Sequence, residues 1–260
     1  MTILGRVLLN FVNYLGEVGA VLWETLGFIA RGRLRPRLVF EQIANIGFGS
    51  QVVVIVTGAF TGAVFTAQTY YQATKIGLET GVGGLVSIAM CRELAPVLVG
   101  LMVTGRVGAS MAAEIGTMKV TEQVDALRAM GVSPTGYLVV PRFIAIMFSM
   151  PLLIAEAILF GIVASWVIGV PMYGISSAWF LDHLVSYTEL EDIAFGMIKG
   201  LLYGMLICLV ACHQGLVAKN GAVGVGRGTT KAVVIASLGI LISNFFLTIV
   251  LTKFFPFDGG

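Results

Sequence analysis

Arg92 and Glu93 stand side by side inside residues 80–104, a stretch that carries no other charge and otherwise reads as a membrane span. Holding either side chain at a bilayer centre costs about 2.5–3.5 kcal/mol, so such a pair points to a place where a polar ligand, an ion or a partner charge is met. Two other readings fit the same residues. The charges could brace a helix bundle, pairing with each other or with a helix end, or they could lie near an interface and snorkel. Neighbours on a helix point about 100° apart and do not face one another, so the two are expected to have different partners. Glu156 is a second carboxylate in an apolar stretch, and the sequence assigns it no partner.

Other chemistries find less support. Cys91, Cys208 and Cys212 fall in apolar segments, where a free thiol behaves as a small hydrophobe and no disulfide framework is implied. Cys208, Cys212 and His213 share an apolar helix without a further ligand cluster, which favours packing over a metal site. His183 reads as a solvated loop residue. The glycine-rich run from Gly221 to Gly228 lacks both the preceding strand and the Lys-Ser/Thr of a phosphate loop, and reads as a flexible turn on the cytoplasmic side. Neither ATP hydrolysis nor a bound cofactor is expected of this chain, and no catalytic residue is assigned.

The elements that must position these residues are set by composition. With 57% hydrophobic and 12% charged residues and a mean hydropathy of +0.95, the chain is expected to be an all-α integral membrane protein. A net charge of +2 gives no case for nucleic acid. Apolar runs predict five transmembrane spans at residues 42–74, 80–104, 143–170, 193–218 and 232–252 in a single domain covering 1–260. Residues 1–40 read as an amphipathic helix in the membrane plane followed by a basic segment with Arg31, Arg33, Arg35 and Arg37. Arg6, Glu17 and Glu24 interrupt that helix, the two carboxylates disfavour a sixth span, and the order of charges is unlike a signal peptide. The arginine cluster, Lys119, Arg128 and Arg142, and Lys219, Arg227 and Lys231 fall on one side, which is expected to be cytoplasmic. The acidic segment 171–192 and a tail with Lys253 and Asp258 fall on the other, which leaves the C-terminus periplasmic.

Gly58 and Gly62 in the first span, and Gly196, Gly200 and Gly204 in the fourth, let helix backbones approach closely, either within one protomer or across a two-fold dimer. Between the second and third spans, Val120, Val124 and Leu127 make an apolar stripe, which predicts an amphipathic helix over 119–131. Gly131 suits its left-handed C-cap and Pro134 stops it. Such a helix could transmit force to a partner or rest on the membrane surface.

The run Cys91-Arg92-Glu93-Leu94-Ala95-Pro96, with Thr104-Gly105-Arg106-Val107-Gly108, Ala113-Glu114-Ile115-Gly116-Thr117-Met118, Glu122-Gln123 and Val140-Pro141-Arg142, closely resembles the MlaE/YrbE permeases. These are the membrane subunits of Mla- and Mce-type ABC systems that move lipids between bacterial membranes. The resemblance covers essentially the whole chain. It implies a homodimeric, multi-pass permease of the bacterial inner membrane that carries phospholipid. Cytoplasmic ABC ATPase subunits, which hold the ATP and Mg²⁺, would dock on one side and a periplasmic ring of MCE-domain proteins on the other. By that resemblance the 119–131 helix is a coupling helix with Glu122, Asp125 and Arg128 as its polar contacts. The outer segment with Trp179, Phe180 and Leu181 is a platform for the MCE partner. A lipid path needs apolar volume and a few polar groups, which Val64, Phe65, Gln68, Tyr70 and Tyr71 of the first span supply. Arg92 and Glu93 could face them, although the tyrosines also suit an interfacial aromatic belt. Two alternatives belong to other classes. One is an ion- or proton-coupled secondary transporter in which Glu93 and Glu156 titrate, against which stands the lack of an inverted repeat. The other is a non-transporting membrane scaffold.

Overall fold

A computed structural model of the chain describes residues 3–32 and 35–255. Arg33 and Asp258, and the side chain of Arg6, lie outside the described residues. The described chain is helical: α1 (Ile3–Ala30), α2 (Pro36–Thr74), α3 (Glu79–Val120), α4 (Gln123–Ala129), α5 (Thr135–Met172), α6 (Ser177–Tyr187), α7 (Leu190–Leu216) and α8 (Gly221–Phe254). Five of these, α2, α3, α5, α7 and α8, are long and apolar enough to cross a membrane.

Each spanning helix starts earlier, ends later, or both, than its predicted span, apart from the C-terminal end of α7. The hydrocarbon limits where charge can sit, whereas helical hydrogen bonding continues past it through polar residues. The largest differences are at the end of α3, which runs on to Val120 and not to residue 104, and at the start of α8, which begins at Gly221 and not near residue 232. The glycine-rich run is therefore helical and not a flexible turn. Asn220 (φ 65°) and Gly221 (φ 62°) make the reversal before it, and a Cβ on Gly224 would collide with the Lys219 carbonyl.

The predicted 119–131 helix is also divided. α3 runs on to Val120, Glu122 takes a left-handed conformation (φ 62°), and α4 starts at Gln123. Its C-terminus is as expected: Gly131 has φ 72°, Val132 N–H bonds the Leu127 carbonyl at 2.9 Å and Gly131 N–H bonds that of Arg128 at 3.0 Å, a Schellman motif. The segment 171–192 is less irregular than its loop-like sequence suggests, because α6 occupies most of it.

The spanning helices are interrupted by π-helical turns at Ala44–Phe48, Met90–Leu94, Thr104–Gly108, Thr135–Val139 and Ile168–Met172. Such widened turns concentrate at functional positions and near prolines. Met90–Leu94 holds Arg92 and Glu93, and Thr104–Gly108 holds Arg106.

The described residues group into two compact units. One comprises Met1–Ile46, Thr104–Met147 and Gly204–Leu238. In it the carboxylates of α1 find partners: Glu17 meets His213 Nε2 at 2.9 Å, and Glu24 accepts from Ser133 Oγ at 3.0 Å and Thr135 Oγ1 at 2.9 Å. Arg142 Nη2 donates to Glu114 at 2.9 Å in the same unit.

The other unit comprises Gly47–Val103, Phe148–Tyr203 and Gly239–Gly260. Here the glycine stripes are used in packing within the chain. Gly58 lies against the Ala157 backbone and Gly62 against Gly161, and Thr66 Oγ1 donates to Ser165 Oγ at 2.6 Å, so small residues four apart on α2 meet small residues four apart on α5. Gly196 abuts the Cys91 carbonyl and Gly200 abuts Ile154. Gly83 and Gly84 admit α6, with Phe180 fully buried against the former.

Candidate functional site

The charged pair of α3 sits in the second unit within a network that joins α3, α7 and α8. Arg92 Nε donates to Asp192 Oδ1, and the other carboxylate oxygen of Asp192 accepts the Glu189 N–H at 2.9 Å. Arg92 and Asp192 are both buried. Glu93 turns to a different set of donors. Lys199 Nζ donates to its Oε1 at 2.8 Å, Thr248 Oγ1 to the same oxygen at 2.9 Å, and Asn244 Nδ2 to its Oε2 at 3.1 Å. Tyr203 Oη extends the network, donating to Asn244 Oδ1 at 2.7 Å. As expected from their adjacency, the neighbours have different partners.

Pro96 explains part of this arrangement. Lacking an N–H, it cannot bond the carbonyl four residues back, which is that of Arg92. Lys199 Nζ donates to that carbonyl at 3.1 Å. Lys199 thus satisfies a backbone oxygen and a carboxylate together. Its third contact is Thr248 Oγ1 at 2.9 Å, and the Phe195 ring lies 4.8 Å from Nζ. The fully buried ammonium therefore has an oxygen partner for each of its three protons. Two cations and two carboxylates leave the network with no net charge, which lowers its cost in a low-dielectric setting.

The residues expected to form one lipid site divide among three places in the chain. Val64, Phe65 and Gln68 line a groove of about 460 Å³ with Phe60, Thr61 and Leu94. Arg92 and Glu93 line a separate groove of about 440 Å³ with the apolar Leu85, Ile88 and Ala89 and with Phe195, Thr248 and Thr252. Tyr70 stacks on Tyr173 with ring centroids 4.4 Å apart, and Tyr71 meets the same ring edge-on at 5.8 Å. Glu93 and Leu94 thus point into different grooves, because successive residues diverge around a helix.

Asp192, Lys199, Asn244 and Thr248 were not among the residues singled out by sequence. Lys199, one basic residue in an apolar span, carried a usable signal; Asp192 read as part of an acidic outer segment, and nothing local distinguished Asn244 or Thr248.

At the α3–α4 reversal, Lys119 Nζ donates to both Asp125 oxygens, at 2.9 and 2.8 Å, and Arg128 Nη1 donates to Oδ1 at 3.1 Å. The Lys119 hydrogen bond holds the Asp125 carboxyl below its ordinary range, with the Lys119 and Arg128 charges adding to it. Asp125 and Arg128 are thereby tied to each other, while Glu122 is exposed at a left-handed corner. In α6, Trp179 and Leu181 are exposed, whereas Phe180 is a packing residue and presents nothing to a partner. His183 is half-buried, stacked on Tyr187 with centroids 5.7 Å apart. Cys208 and Cys212 lie 3.9 Å apart, and no cluster able to hold a metal ion occurs among the described residues.

Comparison with known proteins agrees with this architecture. The family described as Permease MlaE matches residues 39–250. A probable ABC transporter permease protein of Rickettsia typhi is 39% identical over 251 residues, covering 96% of this chain and 97% of that one. The intermembrane phospholipid transport system permease protein MlaE of Haemophilus influenzae is 33% identical over 253 residues, 95% of each chain. The chloroplastic protein TRIGALACTOSYLDIACYLGLYCEROL 1 of Arabidopsis thaliana is 37% identical over 232 residues, 89% of this chain and 65% of that one. The family match over residues 39–250, together with relatives 33% to 39% identical along almost the whole chain, makes this protein a member of the MlaE permease family.

Proposed function

We infer that the chain is the transmembrane permease subunit of an ABC transporter that moves phospholipid between the inner and outer membranes of a bacterium. The observation that carries this reading is the family match across residues 39–250. The site supports it: two largely apolar grooves flank α3, one edged by the Arg92–Glu93 network, as acyl chains beside a polar head group require. The working unit is a homodimer. Phe48, Val52, Val56, Phe60 and Val64 recur every fourth residue of α2 and are all exposed, an apolar stripe that suits a lipid-filled space between two copies of the chain. Substrate contacts then come from Val64, Phe65, Gln68, Tyr70 and Tyr71 together with Arg92 and Glu93.

The basic connections face the cytoplasm, so the N-terminus is cytoplasmic and the C-terminus periplasmic. α4 and its left-handed corner dock the ATPase, where ATP and Mg²⁺ reside, with Glu122 as the outward contact and Asp125 and Arg128 setting the shape of the corner. Trp179 and Leu181 face the MCE-domain ring. Reconstitution of the permease with its ATPase and MCE partner tests this reading. Lipid transfer between labelled vesicles is expected to require hydrolysable ATP and to fall at least tenfold in Glu122→Arg. Transfer by the permease alone on an ion gradient would overturn it.

A further inference from the structure

A second polar cavity lies in the unit that contains α1, apart from the Arg92–Glu93 network. It has a volume of about 320 Å³, at the lower end for ligand sites, and is lined by Gln42, Asn45, Arg106, Ser110 and Glu114 over a floor of Ile46, Val107 and Met111. Two π-helical turns build it. Asn45 and Ile46 come from Ala44–Phe48, Arg106 and Val107 from Thr104–Gly108, and Arg106 Nη1 donates from one turn to the Asn45 carbonyl of the other at 3.3 Å. That contact fixes the exposed guanidinium at the cavity wall. Across it, the Glu114 carboxylate is held by Ser110 Oγ at 2.9 Å and Arg142 Nη2 at 2.9 Å, while its side chain remains 53% exposed. A carboxylate has about four acceptor sites, so these two donors leave it able to bind a further one.

Depth and charge together indicate the ligand. Gln42 and Asn45 open the uncharged run of α2, and Arg106 follows directly on that of α3, which sets the cavity where apolar sequence gives way to polar. The lining carries one positive and one negative side chain. An anionic group alone would meet Arg106 and leave the exposed face of Glu114, which Arg142 pairs from the other side, without a further donor; a zwitterion satisfies both. We propose that this cavity binds a phosphoethanolamine group, with Arg106 on the phosphate and Glu114 on the ammonium, and that it receives the head group of a membrane phospholipid. This deepens the reading of the chain as a lipid permease and rests on it.

The test takes the purified full chain in detergent, stripped of lipid and offered equimolar phosphatidylethanolamine and phosphatidylglycerol with identical acyl chains, and counts retained lipid by native mass spectrometry. Wild type is expected to favour the ethanolamine lipid about tenfold, the scale of one charge-assisted hydrogen bond. Arg106→Gln is expected to lower retention of both lipids, and Glu114→Gln to bring the two to parity. Gln42→Trp fills the cavity without altering either charge and is expected to remove the preference, so the outcome does not depend on the folding of the charge variants alone. Equal retention by wild type, or a wild-type pattern in all three variants, would overturn the proposal. O-phosphoethanolamine offered in place of lipid separates the two sources. Arg106-dependent binding of the soluble compound with no variant-sensitive lipid would overturn the head-group assignment. ATP-driven transfer is read separately: transfer without the ethanolamine preference removes this inference alone, and preference without transfer removes the transport reading alone.

Discussion

The Glu93–Lys199 pair allows an asymmetric prediction. Glu93→Met leaves the Lys199 ammonium, with no side-chain exposure, facing only the Thr248 hydroxyl and the Arg92 carbonyl. Removing one partner of a buried ion pair costs about 3–5 kcal/mol, since the remaining charge is left uncompensated. Lys199→Met leaves Glu93, whose side chain is 38% exposed and still accepts from Asn244 and Thr248. Solvent screening and those two donors reduce its expected cost to about 1–2 kcal/mol. The double Met variant has neither charge and is expected to be more stable than Glu93→Met alone, with a coupling energy of about 2 kcal/mol. Unfolding of the purified chain by denaturant in one fixed detergent, followed by helical circular dichroism, yields all four free energies. Equal single-variant costs that add to within about 0.5 kcal/mol would refute the reasoning.

Other consequences are as direct. Gly62→Val would drive its side chain into the Gly161 backbone and is expected to lower stability by about 1–3 kcal/mol, read from thermal unfolding; a neutral outcome would mean that α2 and α5 are not packed as described. Gly131→Ala, at φ 72°, is expected to cost about 1–2 kcal/mol locally and to speed proteolysis after α4. The Asp125 carboxyl is held below its ordinary value, so its contribution is fully present above the unfolded value of about 3.9 and is lost as pH falls through the lower folded value. Protease resistance of the α3–α4 corner is therefore expected to be level from neutral pH to about 5 and to fall below about 4. Asp125→Asn should abolish that acid step, and an unchanged step in the variant would assign it to another group.

What could be read from sequence followed from local physics. Hydropathy over some twenty residues identifies a spanning helix because every residue crossing the hydrocarbon pays its own transfer energy, and all five spans were found this way. Gly131 could be read as a helix terminus because its left-handed conformation is a property of one residue. The presence of a charged pair at Arg92 and Glu93, and its need for separate partners, also followed from types and adjacency. The choice of Asp192 and Lys199 as partners did not, since each lies about a hundred positions away and only the packing of α7 beside α3 brings them close. The continuity of α8 through its glycines and the break at Glu122 escaped detection for a related reason: backbone propensities of about 1 kcal/mol per residue yield to the packing around them. The sequence by itself determined the class of the protein, its spans and the charges that had to be explained. Tertiary structure decided which charges neutralise each other, which glycines serve packing and which grooves the polar groups face, because those depend on which helices are neighbours, and no local pattern records that.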